Sequence, residues 1–264
     1  MPFLSVFLRT LGFLTAIATF VILINLLAYI IPQNDEYFKF TEGDRDSKNI
    51  IATLELNGPI VNNINVSPFN NILKFIDPEL VQKYLLDLEK RKAKILIIKI
   101  NSPGGTVTAT AELEKIIKNF KKRNNIKVYF YSNEILASGG YWIATTGDKI
   151  FANYGSIIGS IGVSGPSWYY YNNPTSISKG ILSQNIETKN GIEIFDQNAG
   201  YSKDLYNPFR KPNKKELDHL QDIVTEIYND FLNKVSKSRK IEINILKNDI
   251  GALIYSGNQA KEKF

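Results

Sequence analysis

Two short stretches carry residue types that could do covalent chemistry. One is "NEILASGGYWIATTGDKIF" (133–151), where Ser138 is followed by Gly139 and Gly140. The other is "NSPGG" (101–105), which ends in Gly104 and Gly105. A serine at the start of a helix sits at the positive end of the helix dipole, and neighbouring glycines let a substrate reach the backbone. The N–H groups of a glycine pair can face a developing oxyanion. Each stretch also has a plainer reading. Serine is a favoured helix N-cap, and Pro-Gly is an ordinary turn. Taken singly, neither stretch decides between the two.

A serine hydroxyl attacks poorly until a base removes its proton. The sequence has no cysteine and one histidine, His219. Thiolate nucleophiles, disulfides and sulfur-ligated metals are thereby excluded, as is a multi-histidine metal site within one chain. His219 lies between Asp218 and Leu220, off the apolar stripe of a long amphipathic segment, and reads as a surface residue. The remaining base is a lysine whose pKa is lowered by desolvation. Lysines are too numerous for composition to choose among them.

Positioning these groups falls to an alternation of strands and helices. "IIATLELNGPI" (50–60) has strand character and stops at Gly58-Pro59. "PELVQKYLLDLEKRK" (78–92) places Leu80, Tyr84, Leu85 and Leu88 at helical spacing behind a proline. "AKILIIKI" (93–100) is a continuous apolar run, as in a strand buried within a parallel sheet. An amphipathic helix (109–123), a strand (126–131), the Ser138 helix and a short strand "KIFA" (149–152) follow. This order implies α/β architecture built from βαβ units with right-handed crossovers. Both glycine-bearing stretches follow a strand and precede a helix. They are therefore predicted to meet at one edge of the sheet, where the active sites of such folds lie. That pairing favours chemistry over cap and turn. Residues 168–215 read as loops and short strands. Residues 215–239 read as a helix with Leu217, Leu220, Val224, Ile227, Phe231 and Val235 on one stripe.

Ahead of this domain, Leu11 to Ile31 contains no charged residue. At about 1.5 Å per residue, such a helix spans a bilayer core of about 30 Å. It lacks the short apolar core and A-x-A-like end of a cleaved signal peptide, so it reads as an uncleaved transmembrane anchor. The expected organisation is a tail (1–10), an anchor (11–31), a charged linker (32–48) and one globular domain (49–264). Lys and Arg flanking the anchor give no orientation. The net charge is +6, but no stripe of interleaved arginine and aromatic residues marks a nucleic-acid partner.

"INSPGGTVTATAEL" followed by "NEILASGGYWIATTGDKIFANYGSIIGSIGV" resembles the signal peptide peptidases of the protease IV type, most strongly over 98–163. The resemblance implies a membrane-anchored bacterial serine peptidase on the Clp protease/crotonase fold, using a Ser–Lys dyad and neither cofactor nor metal. It places the nucleophile on Ser138. It points to Lys203 in "AGYSKDLYNPFR" as the base, with Lys189 in "IETKNG" as the rival across an insertion near 167–180. Ser160 in "GSIGV" matches a serine that orients the lysine, and Gly104, Gly105 and Gly139 are the candidate oxyanion donors. The implied partners are peptide substrates such as released signal peptides, the inner membrane and further copies in a homo-oligomer. The implied location of the domain is periplasmic. The family continues past "YSGNQAKEKF" with a short apolar segment, which implies a truncated chain at Phe264. Two other readings are a catalytically silent membrane scaffold and a crotonase-like acyl-CoA enzyme. The latter needs an oxyanion hole but no Ser–Lys pair.

Overall fold

The computed structural model describes residues 2–30, 37–44, 46–62, 74–172, 176–177, 186–187, 195 and 197–264. The chain divides into two units, Met1–Arg45 and Asp46–Phe264. The first is built on helix α1 (Pro2–Ile30), with a stretch long and apolar enough to cross a membrane at Phe3–Ile24. The helix starts ahead of the expected boundary and runs through Arg9, because arginine is a good helix former and one charge does not stop a helix. Thr10 and Thr19 return their hydroxyls to the carbonyls of Val6 and Thr15, four residues back.

The second unit opens with β1 (Ile51–Asn57), α2 (Pro78–Arg91), β2 (Ile95–Asn101), α3 (Val107–Asn124) and β3 (Lys127–Ser132). Then come β4 (Ile135–Ala137), α4 (Gly139–Ala144), β5 (Lys149–Ala152) and β6 (Ile157–Gly159). Strands β1, β2, β3 and β5 form a parallel sheet in that order. Side chains alternate across it, so Leu54, Leu96, Ile98, Ile100, Val128 and Phe130 point to one buried face. The β2 run is less buried than expected: Ile95 and Ile97 are half-buried and Lys99 is exposed, where it reaches Glu55 at 3.2 Å.

Local chemistry sets the helix ends. Asp77 caps α2 by accepting from Glu79 N, with Pro78 in the first turn, and Thr106 caps α3 by accepting from Ala109 N. Val81, Leu85 and Leu88 form the buried stripe of α2, leaving Leu80 at the outer edge. In α3 the buried stripe is Ala109, Thr110, Leu113, Glu114, Ile117 and Phe120.

The chain ends with two-residue strands β7 (Ser176–Ile177) and β8 (Ile186–Glu187), then α5 (Lys214–Arg239), α6 (Ile243–Ile245) and a π-helical turn (Leu246–Ile250). Last come β9 (Ile254–Ser256) and α7 (Gly257–Lys263). Asn213 and Glu216 close a capping box on α5. The buried apolar residues of α5, Phe231, Leu232 and Val235, are in its second half, whereas in its first half Glu216 is buried and Leu217 and Ile223 are exposed. Strands β4, β6 and β9 form a second sheet, which a single bridge between Ser102 and Leu136 joins to the end of β2. That junction is where the two glycine-bearing stretches meet.

Candidate active site

Ser138 lies between β4 and α4, not directly after β3, because the three-residue β4 intervenes. Its backbone is at φ 51° and ψ −123°, a region that costs a non-glycine residue about 1–3 kcal/mol. Backbone hydrogen bonds hold it there. Ala137 N donates to Ser102 O at 3.0 Å, Ser138 N to Gly159 O at 2.9 Å, and Trp142 N to Ser138 O at 2.9 Å. The side chain makes no capping hydrogen bond. The N-cap reading therefore fails, and the hydroxyl is left half-buried.

Register brings Ser160 alongside. Strands β4 and β6 run parallel with Ala137 opposite Gly159, so the next residue on each, Ser138 and Ser160, leave the sheet together. Ser160 also has positive φ, 53°, and its N–H donates to Leu253 O at 2.8 Å. Both serines line a cavity of about 270 Å³, together with Gly105, Thr110, Gly139 and Trp142.

The "NSPGG" turn closes against Ser138. Gly104 has φ 108°, and a Cβ there would lie 2.8 Å from Ser138 Cβ and 3.0 Å from its Oγ. Only glycine fits this approach. Gly104 N donates to the buried Ser102 Oγ at 3.2 Å, so this N–H is already engaged, unlike the oxyanion role expected of it. Gly105 differs. Ile60 N donates to Gly104 O and Thr106 N donates to Ile60 O, so strand alternation turns the Gly105 N–H away from Ile60. A Cβ on Gly139 would lie 3.3 Å from Gly105 N. Gly139 is the first residue of α4, where an N–H has no acceptor within the helix. Two backbone donors are thus brought together beside Ser138.

Of the candidate bases, Lys203 and His219 are not among the residues that line this cavity. Lys203 is exposed on a turn at 201–206, and among the described residues no lysine lines the cavity. Arg210 ties that turn to α5, donating to Asp204 at 2.6 Å and to Glu216 at 2.7 Å, while Ser202 Oγ donates to Glu216 at 2.7 Å. The hydrogen bond from Arg210, with those from Ser202 and Asn213 N, pulls the Glu216 carboxyl down to about 2. Lys189 lies outside the described residues. His219 is exposed on α5, as expected of a surface residue.

One cluster escaped the sequence reading. Trp142 Nε1 donates to Glu114 Oε2 at 2.8 Å, Lys234 Nζ approaches the same oxygen at 3.2 Å, and Lys118 pairs with Oε1. Burial pushes the Glu114 carboxyl up, but hydrogen bonds from Lys118 and Trp142 outweigh it and hold the carboxyl below its ordinary range. Burial likewise lowers Lys234, and the Glu114 charge more than reverses it, so Lys234 stays protonated. The Trp142 ring stacks on Phe231 with centroids 5.0 Å apart, and both line the cavity. The available signal was an acid on the core-facing stripe of α3.

Fold and site together define an α/β protein whose cavity lies beyond the carboxyl ends of its parallel strands, around a strained serine. Residues 120–263 match peptidase family S49, more than half of the chain, and the chain belongs to that family. It is 33% identical over 185 residues to the signal peptide peptidase SppA of Enterococcus faecium, covering 69% of this chain and 50% of that one. A protease of Methanocaldococcus jannaschii is 34% identical over 177 residues, 67% of this chain and 52% of that one. Protease 4 of Haemophilus influenzae is 31% identical over 157 residues, 58% of this chain and 22% of that one. The chain thus spans about half the length, or less, of these relatives. Among solved structures, the 1510-N membrane-bound stomatin-specific protease aligns at a TM-score of 0.46 and 16% identity, over 82% of this chain and 77% of that one.

Proposed function

We propose that the protein is a membrane-anchored serine endopeptidase in which Ser138 attacks the peptide carbonyl. The N–H groups of Gly105 and Gly139 receive the developing oxyanion, and Gly104 provides the close turn between them. The observation that carries this reading is the strained Ser138 backbone. Its side chain caps nothing and opens onto a cavity beside two backbone donors. Strain of this kind persists only where surrounding structure over-determines it.

The base in this reading is Lys203, oriented by Ser160. Lys203 is exposed and does not line the cavity of its own chain among the described residues, and in this reading one copy of a homo-oligomer presents Lys203 to Ser138 of another. Seated there, the amine is withdrawn from water and faces the serine hydroxyl whose proton it takes. An extended peptide adds its main chain to the strand ends, and α1 keeps the domain at a membrane. Released signal peptides at the periplasmic face of the inner membrane suit both features. No cofactor is used.

The test is labelling of the purified full chain, in detergent, with a fluorophosphonate probe. Label on Ser138, lost in Ser138→Ala with the unfolding midpoint unchanged, is the expected result. Label on another residue would move the nucleophile. No label would favour the silent scaffold, a reading to which the absence of lysine from the described cavity lining gives some weight.

A further inference from the structure

Thr110 has no part in the chemistry above, yet it faces the same cavity. It lies in the first turn of α3, is 1% exposed, and its Oγ1 has no hydrogen-bond partner in the structure. Helical threonines commonly return Oγ1 to the carbonyl four residues back. Here it does not: Thr106 O accepts only the backbone bond from Thr110 N at 3.0 Å among the described residues, and Thr110 lines the cavity with Ser138. A Cβ built on Gly139 would come within 2.6 Å of Oγ1, so the hydroxyl rests against Gly139, one of the two backbone donors. A buried hydroxyl left unpartnered is destabilising. Valine would fill the same space without that cost, so the hydroxyl points to a partner that arrives with a ligand.

The geometry of attack says which part of a ligand that is. A substrate whose carbonyl oxygen sits at the Gly105 and Gly139 N–H groups carries its adjoining side chain into this cavity, whose lining includes Thr110, set against Gly139. The rest of the wall combines Val107, Val163 and the stacked Trp142–Phe231 pair with Ser160 and Ser164. Glu114 fixes the Trp142 ring by its 2.8 Å hydrogen bond, so the wall is held in place. Within this cavity the Thr110 hydroxyl is the one that is both buried and without a partner among the described residues, and it stands beside the apolar part of the wall.

We infer that Thr110 is a specificity-determining residue whose hydroxyl hydrogen-bonds the side chain of the substrate residue that supplies the attacked carbonyl. The cavity then selects a serine or threonine there over its apolar isostere, alanine or valine. A site built to bond a hydroxyl rejects the analogue lacking it, because its own polar group is left unpaired. This inference rests on the peptidase reading with Ser138 as nucleophile.

The test uses full-length protein and fluorogenic peptides of one apolar frame that differ only in the residue before the scissile bond: threonine, valine, serine or alanine. The expected kcat/KM preference is about tenfold for threonine over valine, matching one hydrogen bond made or left unmade. Thr110→Val should reduce that ratio to within twofold, and Thr110→Ser, which keeps the hydroxyl, should restore most of it. Affinity of the same peptides for Ser138→Ala provides a second readout that needs no turnover. An unchanged ratio in Thr110→Val overturns the inference, as does a uniform loss across all four peptides. Cleavage without discrimination in the wild type overturns this inference alone. Neither cleavage nor binding of any peptide overturns it together with the peptidase reading.

Discussion

Gly104 offers a quantitative test of how the site is held, because the chain contains its own control. Gly104 and Gly200 have nearly the same backbone angle, φ 108° and φ 104°. Among the described residues Gly200 has nothing within 4 Å of an added Cβ, whereas at Gly104 the Cβ would meet Ser138 Cβ at 2.8 Å and Gly139 N at 2.9 Å. Gly200→Ala therefore measures the conformational cost alone, about 1–2 kcal/mol. Gly104→Ala adds overlap with backbone and with the nucleophile, which cannot swing away because its own φ is fixed by three hydrogen bonds. Overpacking of this kind adds about 1–3 kcal/mol, for a sum of about 2–5 kcal/mol. Urea unfolding of the full chain gives both values, and fluorophosphonate labelling reports the site. Gly104→Ala should lose labelling, and Gly200→Ala should keep it. Equal destabilisation by the two substitutions would refute the reasoning. So would wild-type labelling of Gly104→Ala, since the close approach would then not shape the site.

Lys203→Met should abolish peptide cleavage as fully as Ser138→Ala, because members of a dyad act as a unit; Lys189→Met and His219→Gln should stay within a few-fold of wild type, and the reverse outcome for the two lysines would move the base. Mixing inactive Ser138→Ala with inactive Lys203→Met should restore part of the activity if the base is delivered between copies, and no recovery would place both groups in one chain. Glu114→Gln keeps an acceptor for Trp142 but loses the charge facing Lys118 and Lys234, so thermal unfolding should show about 1–2 kcal/mol of destabilisation at pH 7. The depressed Glu216 carboxyl contributes stability that is present above the ordinary carboxylate pKa of about 4.3 and lost as pH falls toward about 2. Melting temperatures should accordingly drop between pH 5 and pH 2.5, and Glu216→Gln should flatten that drop.

The elements that obey local rules were legible in the residues. Helices α2 and α5 follow from apolar spacing, α2 also from Pro78 at its entry, and β2 and β3 from short apolar runs between breakers; the caps at Asp77 and Asn213 came with the structure. The meeting of "NSPGG" with Ser138 was legible too, because βαβ order places both at strand ends. Short elements were not. β4, β6 and β9 are three residues each, too few for periodicity to register, and they exist because they pair with one another. Their register alone puts Ser160 beside Ser138 and holds the serine at positive φ. Residue type likewise could not separate Gly104, whose N–H turns inward to Ser102, from Gly105, whose N–H turns outward; only the bonds made by Ile60 distinguish them. Sequence by itself determined which groups are available: one Ser-Gly-Gly turn, the glycine pair of "NSPGG", no cysteine and a single histidine. Tertiary structure decided which of them face one cavity, and it added Thr110 and Trp142. A side chain's direction depends on packing between segments far apart in the chain, and no local pattern encodes that.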